Sequence, residues 1–347
     1  MNRQDFERPR QLVGVVLAIL WLSVAGAAPA TEAGAPTAKA QAVPMILEAK
    51  IPLGGIKGRI DHLAFDPTRS RLYVAELGND SVAIIDLQAR RVIRTVTGFD
   101  KPQGIAYEPS TDTVYVANGG DGSVRIFSAQ DFEALGQIAL GDDADNVRVD
   151  RSARRVYVGY GNGAVAVIDP ATRTKVASIA LRGHPEGFQL DPATTGIYVN
   201  VPDAGEIAIV ALGGHRQIAS WPTEDLKANY PLALDTANAR VVSIFRRPPR
   251  LEAFDLRSGR SMGGSEVCVD SDDVFLDPRR NRLYVICGEG FVDTFDASGE
   301  RYTRVGRLTT SGGSRTGLFI PEMDRLLVAI RDANGEPAAI WLVRPSP

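Results

Sequence analysis

Seven short segments of this chain each open on a side chain that can donate, accept or ionise: Asp61, Gln103, Asp145, Glu186, Tyr230, Asp272 and Arg315. Four of the seven are carboxylates and none is aliphatic, whereas the positions behind them are mostly apolar. The following positions are His62, Gly104, Asn146, Gly187, Pro231, Asp273 and Thr316. Two residues upstream stand Arg59, Lys101, Asp143, His184 and Asp270, so two of the three histidines fall in these segments. A structural need common to all seven would select one residue type. A type that changes from segment to segment points instead to ligand recognition by converging polar groups. Asp61, His62, Gln103, Asp145, Asn146, Glu186, Tyr230, Asp272, Asp273 and Arg315 are the candidate ligand-binding residues. Carboxylates with amide and imidazole neighbours suit a hard divalent cation such as Ca²⁺. With such a cation, Asp61, Glu186 and Asp272 would be the candidates for hydrolysis of a lactone or ester. Crowded carboxylates also repel, which raises the pKa of one of them without any metal. Arg315 would then offset that charge or clamp an anionic ligand. The bland alternative is a set of solvated strand starts, where Asp, Asn and Gln bond free backbone groups.

Other chemistry has little support. There is no C-x-x-C-H haem attachment motif and no G-x-S-x-G nucleophile elbow. The glycine-rich runs at 119–122 and 161–163 precede no helical pattern, so they read as hairpin turns rather than phosphate cradles. The chain carries 39 Lys and Arg against 42 Asp and Glu, a net charge of −3, with no basic run. That balance gives no electrostatic footprint for nucleic acid.

The elements that hold these segments follow from an internal repeat. Residues 59–75, 102–117, 144–159, 185–200, 229–244, 271–286 and 314–329 share a polar start, an apolar strand, a turn and a second strand. Their reference positions are Tyr73, Tyr115, Tyr157, Tyr198, Val242, Tyr284 and Leu327, spaced 42, 42, 41, 44, 42 and 43 residues apart. Four short strands per period of this length predict an all-β, seven-bladed β-propeller. In the first unit the strands fall near 62–65 (A), 71–75 (B), 82–86 (C) and 91–96 (D). Asp-Pro at 66, 191 and 277 opens A–B turns. The seventh unit runs out after strand C, and residues 47–54 resemble the outer strands at 134–141 and 175–181. The N-terminal strand should therefore close the last blade and pair its open edge. In this architecture the D–A and B–C loops share the face where the seven polar residues converge on the channel mouth.

The repeats Tyr73-Val74, Tyr115-Val116, Tyr157-Val158, Tyr198-Val199 and Tyr284-Val285 make the chain resemble the YVTN-repeat (YncE-like) bacterial β-propellers. The strand C runs Ala83-Ile84-Ile85-Asp86 and Ala166-Val167-Ile168-Asp169 add to the likeness, which covers nearly all of the chain after the N-terminal segment. Thr never follows the Tyr-Val pair, and Asn closes the tetrad only at Asn118. The resemblance implies the fold and export, and leaves the chemistry open.

The N-terminus agrees with export. Arg3, Arg8 and Arg10 precede an apolar run at 12–24 and small residues at 25–30. That is the order of a secretory signal peptide, and the run is short of the roughly 20 residues of a membrane span. Residues 1–30 are thus read as signal peptide, 31–43 as a disordered leader and 44–347 as the propeller. The product would be periplasmic or secreted, with no membrane span after cleavage. The two cysteines, Cys268 and Cys287, lie in the segment leading into blade six and at the end of its strand B. In an oxidising compartment they are a candidate disulfide worth about 3 kcal/mol, with two free thiols as the alternative. Three functions remain open. One is a binding module for a small ligand or protein partner, the second is the metal-dependent hydrolase, and the third is a subunit that docks a redox enzyme.

Overall fold

The computed structural model describes residues 45–347 other than 192, 195 and 334. The signal peptide and leader read from the sequence lie outside the described residues. Seven antiparallel four-stranded sheets follow one another along the chain. In blade one the strands are Leu63–Asp66 (A), Arg71–Glu76 (B), Ser81–Asp86 (C) and Arg91–Thr97 (D), each within a residue of its expected position. Blade seven comprises Gly317–Ile320, Arg325–Ile330 and Ala339–Pro345, and its outer strand is Met45–Pro52. The pairing runs from Met45 opposite Pro345 to Pro52 opposite Ala339, so the N-terminal strand closes the last blade. Among the described residues, no helix is long and apolar enough to cross a membrane.

The core lies between successive blades, which is why strand B repeats a Tyr-Val pair. Tyr73 packs with Ile105, Tyr107, Val116 and Phe127 of the next blade, and its hydroxyl donates to the Ala129 carbonyl at 3.2 Å. Tyr284 packs with Phe319, Val328 and Trp341, and its hydroxyl donates to Asp277 Oδ2 at 2.7 Å. A buried tyrosine combines large apolar area with a tip that needs an acceptor; the next blade supplies the acceptor for Tyr73, and the blade's own strand A supplies it for Tyr284. The outer pairing of every blade carries one register shift, from Leu47/Ala49 and Ile84/Ile85 through Thr294/Phe295. A bulge adds twist to its strand, so repeating it gives each outer edge the same extra twist.

The A–B turns use aspartate as the sequence pattern suggests. Asp66 Oδ1 accepts the N–H groups of Thr68 and Arg69, and Asp277 Oδ1 accepts that of Arg279. On the opposite face, Cys268 and Cys287 are joined in a disulfide that ties the segment before strand A of blade six to the end of its strand B.

Candidate functional site

A recurrent backbone device aims the leading residues into the channel. Lys101, Asp143, Ala228 and Asp270 each have φ between 33° and 62°, a left-handed turn just before strand A. The A–B pairing that follows shifts register between Pro102 and Ile105, Ala144 and Val147, Asn229 and Leu232, and Ser271 and Asp273. Gln103, Asp145, Tyr230 and Asp272 therefore sit inside bulges, which re-aim side chains that a regular strand would point into the blade interface. Asp61 and Glu186 precede regular strands, with their N–H groups on the carbonyls of Ala75 and Asn200.

The same segments stitch neighbouring blades. The His62 N–H donates to the Gln103 carbonyl, the Gly187 N–H to the Tyr230 carbonyl, and the Thr316 hydroxyl to the Ile60 carbonyl. The Gly317 N–H donates to Asp273 Oδ2 at 2.9 Å. A β-carbon at Gly104 or Gly187 would collide with the backbone of Asp145 or Tyr230 in the next blade, which explains glycine at two of the second positions.

Two layers result. The upper one is an open bowl of about 620 Å³ lined by Arg59, Lys101, Gln103, Asp143, His184, Glu186 and Tyr230, with loop residues around them. Beneath it lies a layer of charge. Asp272 accepts from Arg246 at 2.7 Å and ion-pairs with Arg315 at 2.9 Å and Arg59 at 3.4 Å. Arg59 also lies 2.9 Å from the fully buried Asp61. His62 stands between Asp273, at 3.6 Å, and Asp61, at 3.8 Å. Asp145 and Asn146 are buried beside them, and each carries an oxygen without a hydrogen-bond partner. Of the ten candidate residues, then, Gln103, Glu186 and Tyr230 face the bowl. Asp61, His62, Asp145, Asn146 and Asp273 lie below it, and Asp272 and Arg315 belong to the ion-pair cluster.

Burial and charge together set the protonation of this layer. Burial pushes Glu186 up to about 8, reinforced by Asp145 and Asp272 and only partly offset by His184 and Arg246. Burial likewise raises Asp61 to about 6 against the pull of Arg59. For His62 burial opposes the charge, yet Asp273, Asp61 and Asp145 overcome it and raise the imidazole to about 10. His184 follows the same logic: burial resists, but Asp145, the Gly161 carbonyl and Asp143 raise it to about 9. Its Nδ1 lies 2.6 Å from that carbonyl, as a donor would. Asp145, although buried, is held below its usual value by His184, His62 and Arg59. The Glu186 carboxyl differs from its neighbours in having no hydrogen bond or ion pair with any described residue.

Two arginines that the sequence pattern passes over shape the site. Arg246 lies near the end of strand B of blade five, Arg240–Arg247, where the corresponding positions are Leu77, Gly119, Gly161, Pro202, Gly288 and Arg331. It reaches Asp272 and the Ser271 carbonyl and lies 3.8 Å from the Tyr230 ring centroid. Arginine also stands at this position in blade seven, so the sequence does not single out Arg246. Arg148 lies within strand A of blade three, Ala144–Asp150, and marks the far side of the charged layer.

Among the described residues, no three His, Cys, Asp or Glu side chains gather as metal ligands. Asp61 and Asp272 are engaged by guanidinium groups.

No family model matches this chain, and no curated protein matches it. Among solved structures the chain is similar to Kuenenia stuttgartiensis hydrazine synthase, with a TM-score of 0.70 and 16% sequence identity, over 82% of this chain and 97% of that one. At that identity the likeness is one of fold.

Proposed function

We propose that this chain is an exported YVTN-type β-propeller that works as a non-catalytic binding module. The polar bowl is its recognition face, and a small amine-bearing ligand is the chemistry it takes. The observation that carries this reading is Glu186. Its carboxyl lines the bowl with no partner among the described residues, while Asp272 nearby is bound by three arginines. A ligand ammonium meeting Glu186 would satisfy it by a charge-assisted hydrogen bond. Export is supported by the order of charged, apolar and small residues in 1–30 and by the disulfide, which persists in oxidising compartments. The Tyr-Val pairs on strand B support the family.

Because Glu186 is pushed up to about 8, it is largely protonated at neutral pH, and binding a cation would ionise it. Titration calorimetry with putrescine and ethanolamine at pH 7, in buffers of different ionisation enthalpy, tests this. The expected result is saturable binding with proton release, at least about tenfold weaker in Glu186→Gln. Failure of both amines to bind at low ionic strength, or equal affinity in the variant, overturns the reading.

A further inference from the structure

The other end of the channel has a different character. A cavity of about 380 Å³ opens there toward the A–B turns. Phe65, Tyr107, Val149, Phe275 and Phe319, from five different blades, form its wall. Phe65 and Phe275 keep part of their rings exposed, and a smaller cavity beside it shares Phe275 and Phe319. A cavity that sets aromatic walls beside a few convergent polar groups is a usual form of small-molecule site.

The polar group here is Arg148. Its Nε donates to the Phe188 carbonyl at 3.1 Å and its Nη1 to the Val147 carbonyl at 2.9 Å, both neutral acceptors. Its guanidinium lies 5.5 Å from the Phe188 ring centroid. Among the described residues Nη2 makes no hydrogen bond, and no carboxylate forms an ion pair with the group. Arg59, Arg246 and Arg315, which reach the channel from the bowl side, all sit on carboxylates. Burial pulls Arg148 below its ordinary value, and Asp273 and Asp145 act on it only from a distance. His62 also lines this cavity as a cation, already answered by Asp273. At the rim Arg151 and Glu322 cancel. The cavity thus holds one positive charge in excess, next to aromatic walls.

We propose that this funnel is a second binding site, selective for a small aromatic monocarboxylate, with the carboxylate on Arg148 Nη2 and the ring among Phe65, Phe275 and Phe319. The Arg148 guanidinium is half-buried and has no anionic partner, and a bound carboxylate supplies one through a charge-assisted bond. The ring removes apolar wall from water. The site is separate from the amine-binding bowl, because the layer of Asp61, His62, Asp145 and Asp273 lies between them.

Calorimetry on the purified protein with phenylacetate, phenylacetamide and phenethylamine tests the proposal. Phenylacetate is expected to bind saturably, and the neutral and cationic analogues at least about tenfold more weakly. In Arg148→Gln that preference disappears. Phe275→Ser at the wall weakens phenylacetate, and Glu186→Gln leaves its affinity unchanged. The proposal is overturned if phenylacetamide binds as tightly as phenylacetate, if phenylacetate fails to bind at millimolar concentration, or if folded Arg148→Gln keeps the original affinity. Should Arg148→Gln fail to fold, the comparison of acid with amide on the unaltered protein decides.

Discussion

The two faces of this propeller use the same residue types under different rules. On the A–B turn face the ion pairs repeat. Arg69 bridges Asp66 of its own blade and Asp112 of the next, and Arg280 bridges Asp277 and Asp324 in the same way. At the channel mouth the backbone devices recur but the ion pairs do not. Three arginines from blades one, five and seven converge on Asp272 of blade six, and Glu186 of blade four stands without a partner. A device copied between blades serves what all blades share, which is packing on a neighbour. A device made once, from several blades, serves what only the centre of the ring can do. Aperiodicity alone is not a mark of function, however. Several of the aperiodic leading residues also stitch adjacent blades through backbone and side-chain bonds.

The contrast can be broken most directly at Asp272. Asp272→Ala leaves Arg246 and Arg315 on Asp270 and Arg59 on Asp61 without the carboxylate all three share, and a loss of about 3 kcal/mol, the low end for breaking a buried pair, is expected in urea unfolding. A loss of under about 1 kcal/mol would make the cluster a solvated surface feature like those on the turn face. Next in size is the covalent tie on the mouth face. Replacing Cys268 and Cys287 together by serine opens a link spanning 19 residues and should cost about 3 kcal/mol by the same measurement.

A subtler effect separates the faces by pH. Glu186 rises from 4.5 to about 8 and Asp61 from 3.8 to about 6, in each case chiefly through burial. His184 and His62 rise from 6.5 to about 9 and about 10 because carboxylates outweigh burial. In each case the folded state holds its proton more tightly than the unfolded chain. The stability these groups contribute is complete below their unfolded values and is lost as pH climbs through the folded ones. The melting temperature should therefore fall from pH 5 to pH 9. Glu186→Gln should flatten the slope between pH 5 and 8 and stabilise the protein at pH 9. Parallel melting curves for the two proteins would show that Glu186 does not carry its share. The smallest effect belongs to the repeated pairs: Asp112→Ala, on the exposed side of the Arg69 bridge, should cost less than about 1 kcal/mol. A larger loss would mean that the turn-face pairs, like the mouth cluster, are structural supports.

Much of this architecture is legible in one dimension. The Tyr-Val spacing, the alternating strands and the truncated seventh unit fix seven blades and their closure, because each blade must bury the same faces against the next. The leading positions could be aligned for the same reason. Which of them face solvent could not, since bulged segments carry both Gln103 in the bowl and Asp145 beneath it, and regular ones both Glu186 and Asp61. Arg246 shares its residue type with Arg331 at the same position of blade seven, and its target is a carboxylate 26 residues away in another blade.

By itself, then, the sequence determined the repeat, the ring and which residues lead each blade, all consequences of period and hydrophobic pattern. Only the tertiary structure decided that these residues divide the channel into a polar bowl and an aromatic-walled funnel, and that Glu186 and Arg148 are left incompletely answered on its two sides. Pairing among charges depends on distances across the ring, and those are set by how the blades pack.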